Sequence, residues 1–194
     1  MARAARPTRR LTLADLGILV GATAFGLVLL RWYLAGIPAG MFWPVAARTV
    51  EVTYGAWSTT AACWMIALLV IEHSGPHPRR ARLVRRPGYV ACCVGVLALG
   101  WGGIVEWAGH GVPGLAAMPT SFQQVWVRVS PRVGSMVAGA WLVLALSGRW
   151  RADPGAIDRL GRLLGGLWIG WLLFWLLPQP IRGKIPPFWD GVLT

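Results

Sequence analysis

Arginine alternates across the apolar stretches of this chain, and that alternation limits the possible folds more than any motif in it. Five apolar segments of membrane length divide the 19 Lys and Arg residues into sets of four, two, five, two, four and two, from the N- to the C-terminus. Cytoplasmic flanks of membrane helices collect Lys and Arg. The pattern predicts an all-α polytopic membrane protein, a five-transmembrane-helix bundle with its N-terminus cytoplasmic and its C-terminus external. The predicted spans are approximately 12–34, 52–71, 87–105, 131–147 and 157–177, in a single integral membrane domain covering residues 1–194.

A hydrophobic fraction of 56% with only 13% charged residues is too apolar for a soluble domain of this size. The net charge of +12 raises the question of nucleic acid, but 13 of the 19 basic residues fall on the three flanks assigned to one side. Topology and anionic lipid account for that placement, and no basic recognition module accompanies it, so nucleic acid is not an expected partner. The expected location is the cytoplasmic (inner) membrane of a bacterial cell. Thr8-Arg9-Arg10-Leu11-Thr12-Leu13 loosely resembles a twin-arginine export signal. The apolar run behind it is long, lacks a small-x-small cleavage site and is followed by four more spans, so it reads as an uncleaved anchor.

Local signals place the helix ends. Thr12 and Asp15 form a capping pair for span 1. Pro87 opens span 3, Ser130-Pro131 reads as a cap with proline in the first turn of span 4, Gly148 closes that span, and Asp153-Pro154 opens span 5. The stretch between spans 3 and 4 has room for a short interfacial helix over 121–129. Ile185-Pro186-Pro187-Phe188-Trp189 in the tail echoes Ile37-Pro38 and Phe42-Trp43 on the same outer face.

No ionisable residue falls in the membrane interior as drawn. Proton relays, ion-coupled transporters and voltage sensors keep such groups at depth despite their cost, so those classes are disfavoured. His73 and His77 are interrupted by Pro76, and His110 belongs to the opposite side, so no metal or haem pair forms. Cys63, Cys92 and Cys93 lack metal-site spacing and read as small buried side chains. Ser58, Thr59 and Thr60 have no histidine at their depth to act as a base. The chain is therefore not expected to be an enzyme, no catalytic or metal residue is assigned, and any cofactor stays open.

Small residues four apart supply flat patches on which helices in lipid can approach closely. They include Gly17 with Gly21, Ala91 with Gly95, Ala98 with Gly102, Ser135 with Gly139, Gly161 with Gly165, and Gly166 with Gly170. The chain also has 13 tryptophans, of which Trp168, Trp171 and Trp175 share one face of span 5. The functional expectation is an accessory or scaffolding subunit of a larger membrane complex, held by helix–helix packing to other membrane proteins. Its contacts would fall on Gly17, Gly21, Gly95, Gly102, Gly139, Gly165, Gly166, Gly170, Trp168, Trp171 and Trp175. The alternative is binding or transport of a lipid, quinone or pigment in a niche beside Trp57, Ser58, Thr59 and Trp64.

Overall fold

The computed structural model describes residues 12–35, 45–74, 83–109, 122–152 and 155–176. These residues form five helices and no strand: α1 (Leu13–Ala35), α2 (Val45–Ser74), α3 (Pro87–Gly109), α4 (Phe122–Leu146) and α5 (Ala156–Leu176). Four of them, α1 to α4, contain stretches long and apolar enough to cross a bilayer, which marks a membrane protein. Helix α5 falls outside that set. Its first two turns carry Asp158, Arg159 and Arg162, so it starts as an amphipathic helix ahead of its apolar part.

Several ends form as the sequence requires. The Thr12 amide donates to Asp15 Oδ2 at 2.9 Å and the Asp15 amide to Thr12 Oγ1 at 3.2 Å, a reciprocal capping box at the start of α1. Helix α3 begins at Pro87, where a missing amide proton costs nothing. Gly148 adopts φ 64°, and the Arg149 amide reaches back to the Leu144 carbonyl at 3.1 Å, closing α4 in a Schellman turn.

One boundary agrees with the sequence reading and one does not. The apolar span of α2 starts at Val52 as expected, within a helix that begins seven residues earlier at Val45. Pro131 does not open a helix. Helix α4 starts at Phe122 and runs through Pro131, so the expected short interfacial helix and span 4 are one element. Tertiary contacts keep the residues before the proline helical: Val129 is buried in the core and the Ser130 hydroxyl is bonded to α2. The Asp153-Pro154 start and the aromatic-proline segments at 37–43 and 185–189 lie outside the described residues, as do His77 and His110.

The bundle is uneven. Helices α3, α4 and α5 pack on one another, α2 packs on α3 and more lightly on α5, and α1 rests chiefly on α2. The central layer consists of Met65, Leu68 and Ile71 from α2, Ala91 and Cys92 from α3, Val133 and Val137 from α4, and Trp168 from α5. Glycines set the closest crossings. A Cβ on Gly26 would lie 2.9 Å from the Thr60 Cα, so α1 and α2 meet backbone to backbone there.

Candidate functional site

Toward the end of the bundle where α2 begins, an aromatic cluster encloses a short polar chain. The Tyr54 ring stacks on Trp171 with centroids 4.1 Å apart and a 16° interplanar angle, and meets Tyr33 and Trp57 edge-on. Trp57 in turn packs against Trp168 at 5.3 Å and Trp171 at 5.7 Å. The Tyr54 hydroxyl donates to Ser130 Oγ on α4. Trp126 Nε1 donates to Ser58 Oγ at 2.8 Å, and that hydroxyl donates to the Tyr54 carbonyl at 2.7 Å. In an apolar surround a buried hydroxyl or indole N–H needs a partner, and for Tyr54, Ser58 and Trp126 bonds within α2 and between α2 and α4 supply one.

This geometry splits the residues expected to form a ligand niche. Ser58 and Thr59 are fully buried, and Thr59 Oγ1 donates to the Gly55 carbonyl of its own helix at 2.6 Å. Trp64 turns to α1, where its Nε1 donates to Thr23 Oγ1 at 2.9 Å. Trp57 instead lines an open space. The four residues thus divide between different helix contacts.

That open space is a groove along α5 of about 1030 Å³. Its lining follows helical spacing: Arg159, Arg162, Leu163, Gly166, Leu167, Gly170, Trp171 and Phe174, with Trp57 of α2 facing them. The two arginines stand in the first turns of α5 and the aromatics at the other end, so charge and apolar surface are segregated along its length.

A separate polar clasp joins the ends of α2, α3 and α5. The Gly88 amide donates to Asp158 Oδ1 at 2.9 Å, and Arg162 Nε lies 3.3 Å from Asp158 Oδ2. Arg86 pairs with Glu72 at 2.7 Å, and Trp141 Nε1 donates to the Pro87 carbonyl at 3.0 Å. A Cβ on Gly88 would fall 2.2 Å from the Asp158 carbonyl oxygen, and one on Gly161 would fall 2.5 Å from the Gly88 oxygen, so α3 and α5 touch at their backbones. Sequence reading missed Asp158, Glu72, Tyr54 and Ser130 in these roles. Only the i,i+4 spacing of Asp158 and Arg162 signalled any of it.

The glycines expected at contacts separate cleanly. Gly95 meets Met65, Gly102 meets Val129 and Gly165 meets Trp141 and Ala91, so these three pack inside the bundle. Among the described residues, Gly17, Gly21, Gly139, Gly166 and Gly170 have nothing within 4 Å of an added Cβ and face outward. Trp168 is fully buried and Trp171 half-buried against Tyr54, while the Trp175 side chain lies outside the described set.

Among the described residues no group of three or more His, Cys, Asp or Glu converges. His73 Nδ1 sits 2.8 Å from the Leu69 carbonyl of its own helix, and the three cysteines are free thiols within α2 and α3. No family model, curated protein or solved structure matches the chain, so its own residues carry the functional argument.

Proposed function

We propose that this chain is a five-span inner-membrane protein, N-terminus cytoplasmic and C-terminus external, that acts as an accessory subunit by packing against other membrane helices. The observation that carries the reading is the outward face of α1. This helix is the least buried of the four apolar ones and rests mainly on α2, yet Gly17 and Gly21 leave a flat patch on it that no described residue covers. Side-chain bulk would serve equally well against lipid tails. A flat patch lets a second helix approach closely, and dispersion contacts then replace the hydrophobic drive that lipid does not supply.

Extraction in mild detergent followed by native mass measurement tests the assignment. A defined partner should accompany the wild-type chain and be lost from the Gly17→Leu, Gly21→Leu double variant, with the helical signal and unfolding temperature retained. A 21.1 kDa monomer with no companion, or a companion indifferent to the double variant, would overturn it.

One observation favours a second reading, binding of a membrane amphiphile. The α5 groove is open, largely apolar and charged at one end.

A further inference from the structure

We propose that the α5 groove holds one anionic phospholipid, its phosphate at Arg159 and Arg162 and an acyl chain running toward Trp57, Trp171 and Phe174. From Arg159 to Phe174 the helix rises about 22 Å, at 1.5 Å per residue. A hydrocarbon leaflet is about 15 Å, half of the 30 Å core, so the groove accommodates a chain together with its headgroup region. Gly166 and Gly170 have open space over them, so the middle of the groove is smooth enough for an extended chain to lie flat.

Charge selects the occupant. Both cations occupy the same end and the remaining lining is apolar, which matches a molecule with one anionic head and a hydrocarbon body. Arg159 is exposed and makes no ion pair among the described residues, so its charge is available to a phosphate. Arg162 is held beside it by Asp158 Oδ2 at 3.3 Å, with its Nε–H unaligned for a hydrogen bond. Its remaining guanidinium donors fit a phosphate in the fork geometry arginine favours.

The ligand differs from the partner proposed above, and it is bound on α5 rather than α1, so either reading can fail alone. The orientation proposed above puts the arginine end in the cytoplasmic leaflet, where anionic lipid attracts basic residues.

The test is native mass spectrometry of the full chain in detergent, titrated with phosphatidylglycerol or with phosphatidylcholine of matched acyl chains. Wild type should retain one phosphatidylglycerol under conditions that strip phosphatidylcholine. Arg159→Gln should weaken that retention about fivefold, the scale of one basic side chain near an anionic lipid surface. Gly166→Leu with Gly170→Leu should abolish retention, with helical content and unfolding temperature unchanged because both positions face open space. Equal retention of the two lipids would overturn the proposal, as would indifference to either set of variants. A dimer of this chain that dissociates in the glycine variants would assign the groove to a second copy instead.

Discussion

The carboxylate of Asp158, in the first turn of α5, accepts the amide of Gly88, in the first turn of α3, across 2.9 Å. One buried anion therefore complements the positive ends of two helices, its own and its neighbour's. It also fills an amide that the helix geometry of α3 leaves without a carbonyl.

Asp158→Ala should cost about 1–3 kcal/mol, the penalty of leaving a buried amide without an acceptor. Asp158→Asn keeps an acceptor at that position and should lose less. Chemical unfolding in detergent, followed by circular dichroism, gives both values. Equal losses for the two variants would show that the amide contact is not what stabilises the junction.

Glycine substitutions should separate by position rather than by residue type. Gly88→Ala places a methyl against the Asp158 backbone and should cost about 1–3 kcal/mol or more. Gly166→Ala meets nothing and should stay within about 0.5 kcal/mol of wild type. Unfolding of the two variants side by side checks the contrast, and a Gly88→Ala protein as stable as wild type would refute the crossing.

The Tyr54–Ser130 bond should appear as coupling in a double-mutant cycle. Tyr54→Phe and Ser130→Ala remove the same contact from opposite sides, so the double variant should lose less than the sum of the singles. The expected coupling is about 0.6 kcal/mol, the average for interhelical hydrogen bonds in membranes, and up to about 1.7. Strict additivity would mean that the hydroxyls contribute nothing together.

Orientation is open to direct labelling. In a background with Cys63, Cys92 and Cys93 replaced by Ala, a cysteine introduced as Arg82→Cys should react with an impermeant maleimide only after the membrane is opened from the cytoplasmic side. The segment from Arg79 to Arg86 carries five arginines, the largest basic set in the chain. Labelling of intact cells at that position would reverse the topology.

The helices were legible because their signals are local. Thr12 with Asp15, Pro87 and Gly148 each act on the backbone within a few residues, and each marks an end where the structure has one. Pro131 misled for the opposite reason. Its effect depends on Val129 and Ser130 being held by other helices, which no local pattern records. The same limit applies to contact residues. Gly95 and Gly166 look alike in sequence, yet one meets Met65 and the other open space, because helix rotation is set by the whole bundle. Ser58 and Thr59 read as part of a niche beside Trp57 and Trp64, but hydroxyls in helices find their own carbonyls first. In sequence Trp57 and Trp171 belong to different roles, and only the tertiary fold shows them lining one groove.

Pro131 leaves a mark on α4 beyond its misleading spelling. A proline inside a helix offers no proton to the carbonyl four residues earlier, so one rung of the backbone ladder is missing there. The rod is weakest at that rung, and the neighbouring residue is where α2 grips it through Tyr54. Any tilting of one half of α4 against the other therefore has its joint and its clamp at the same height.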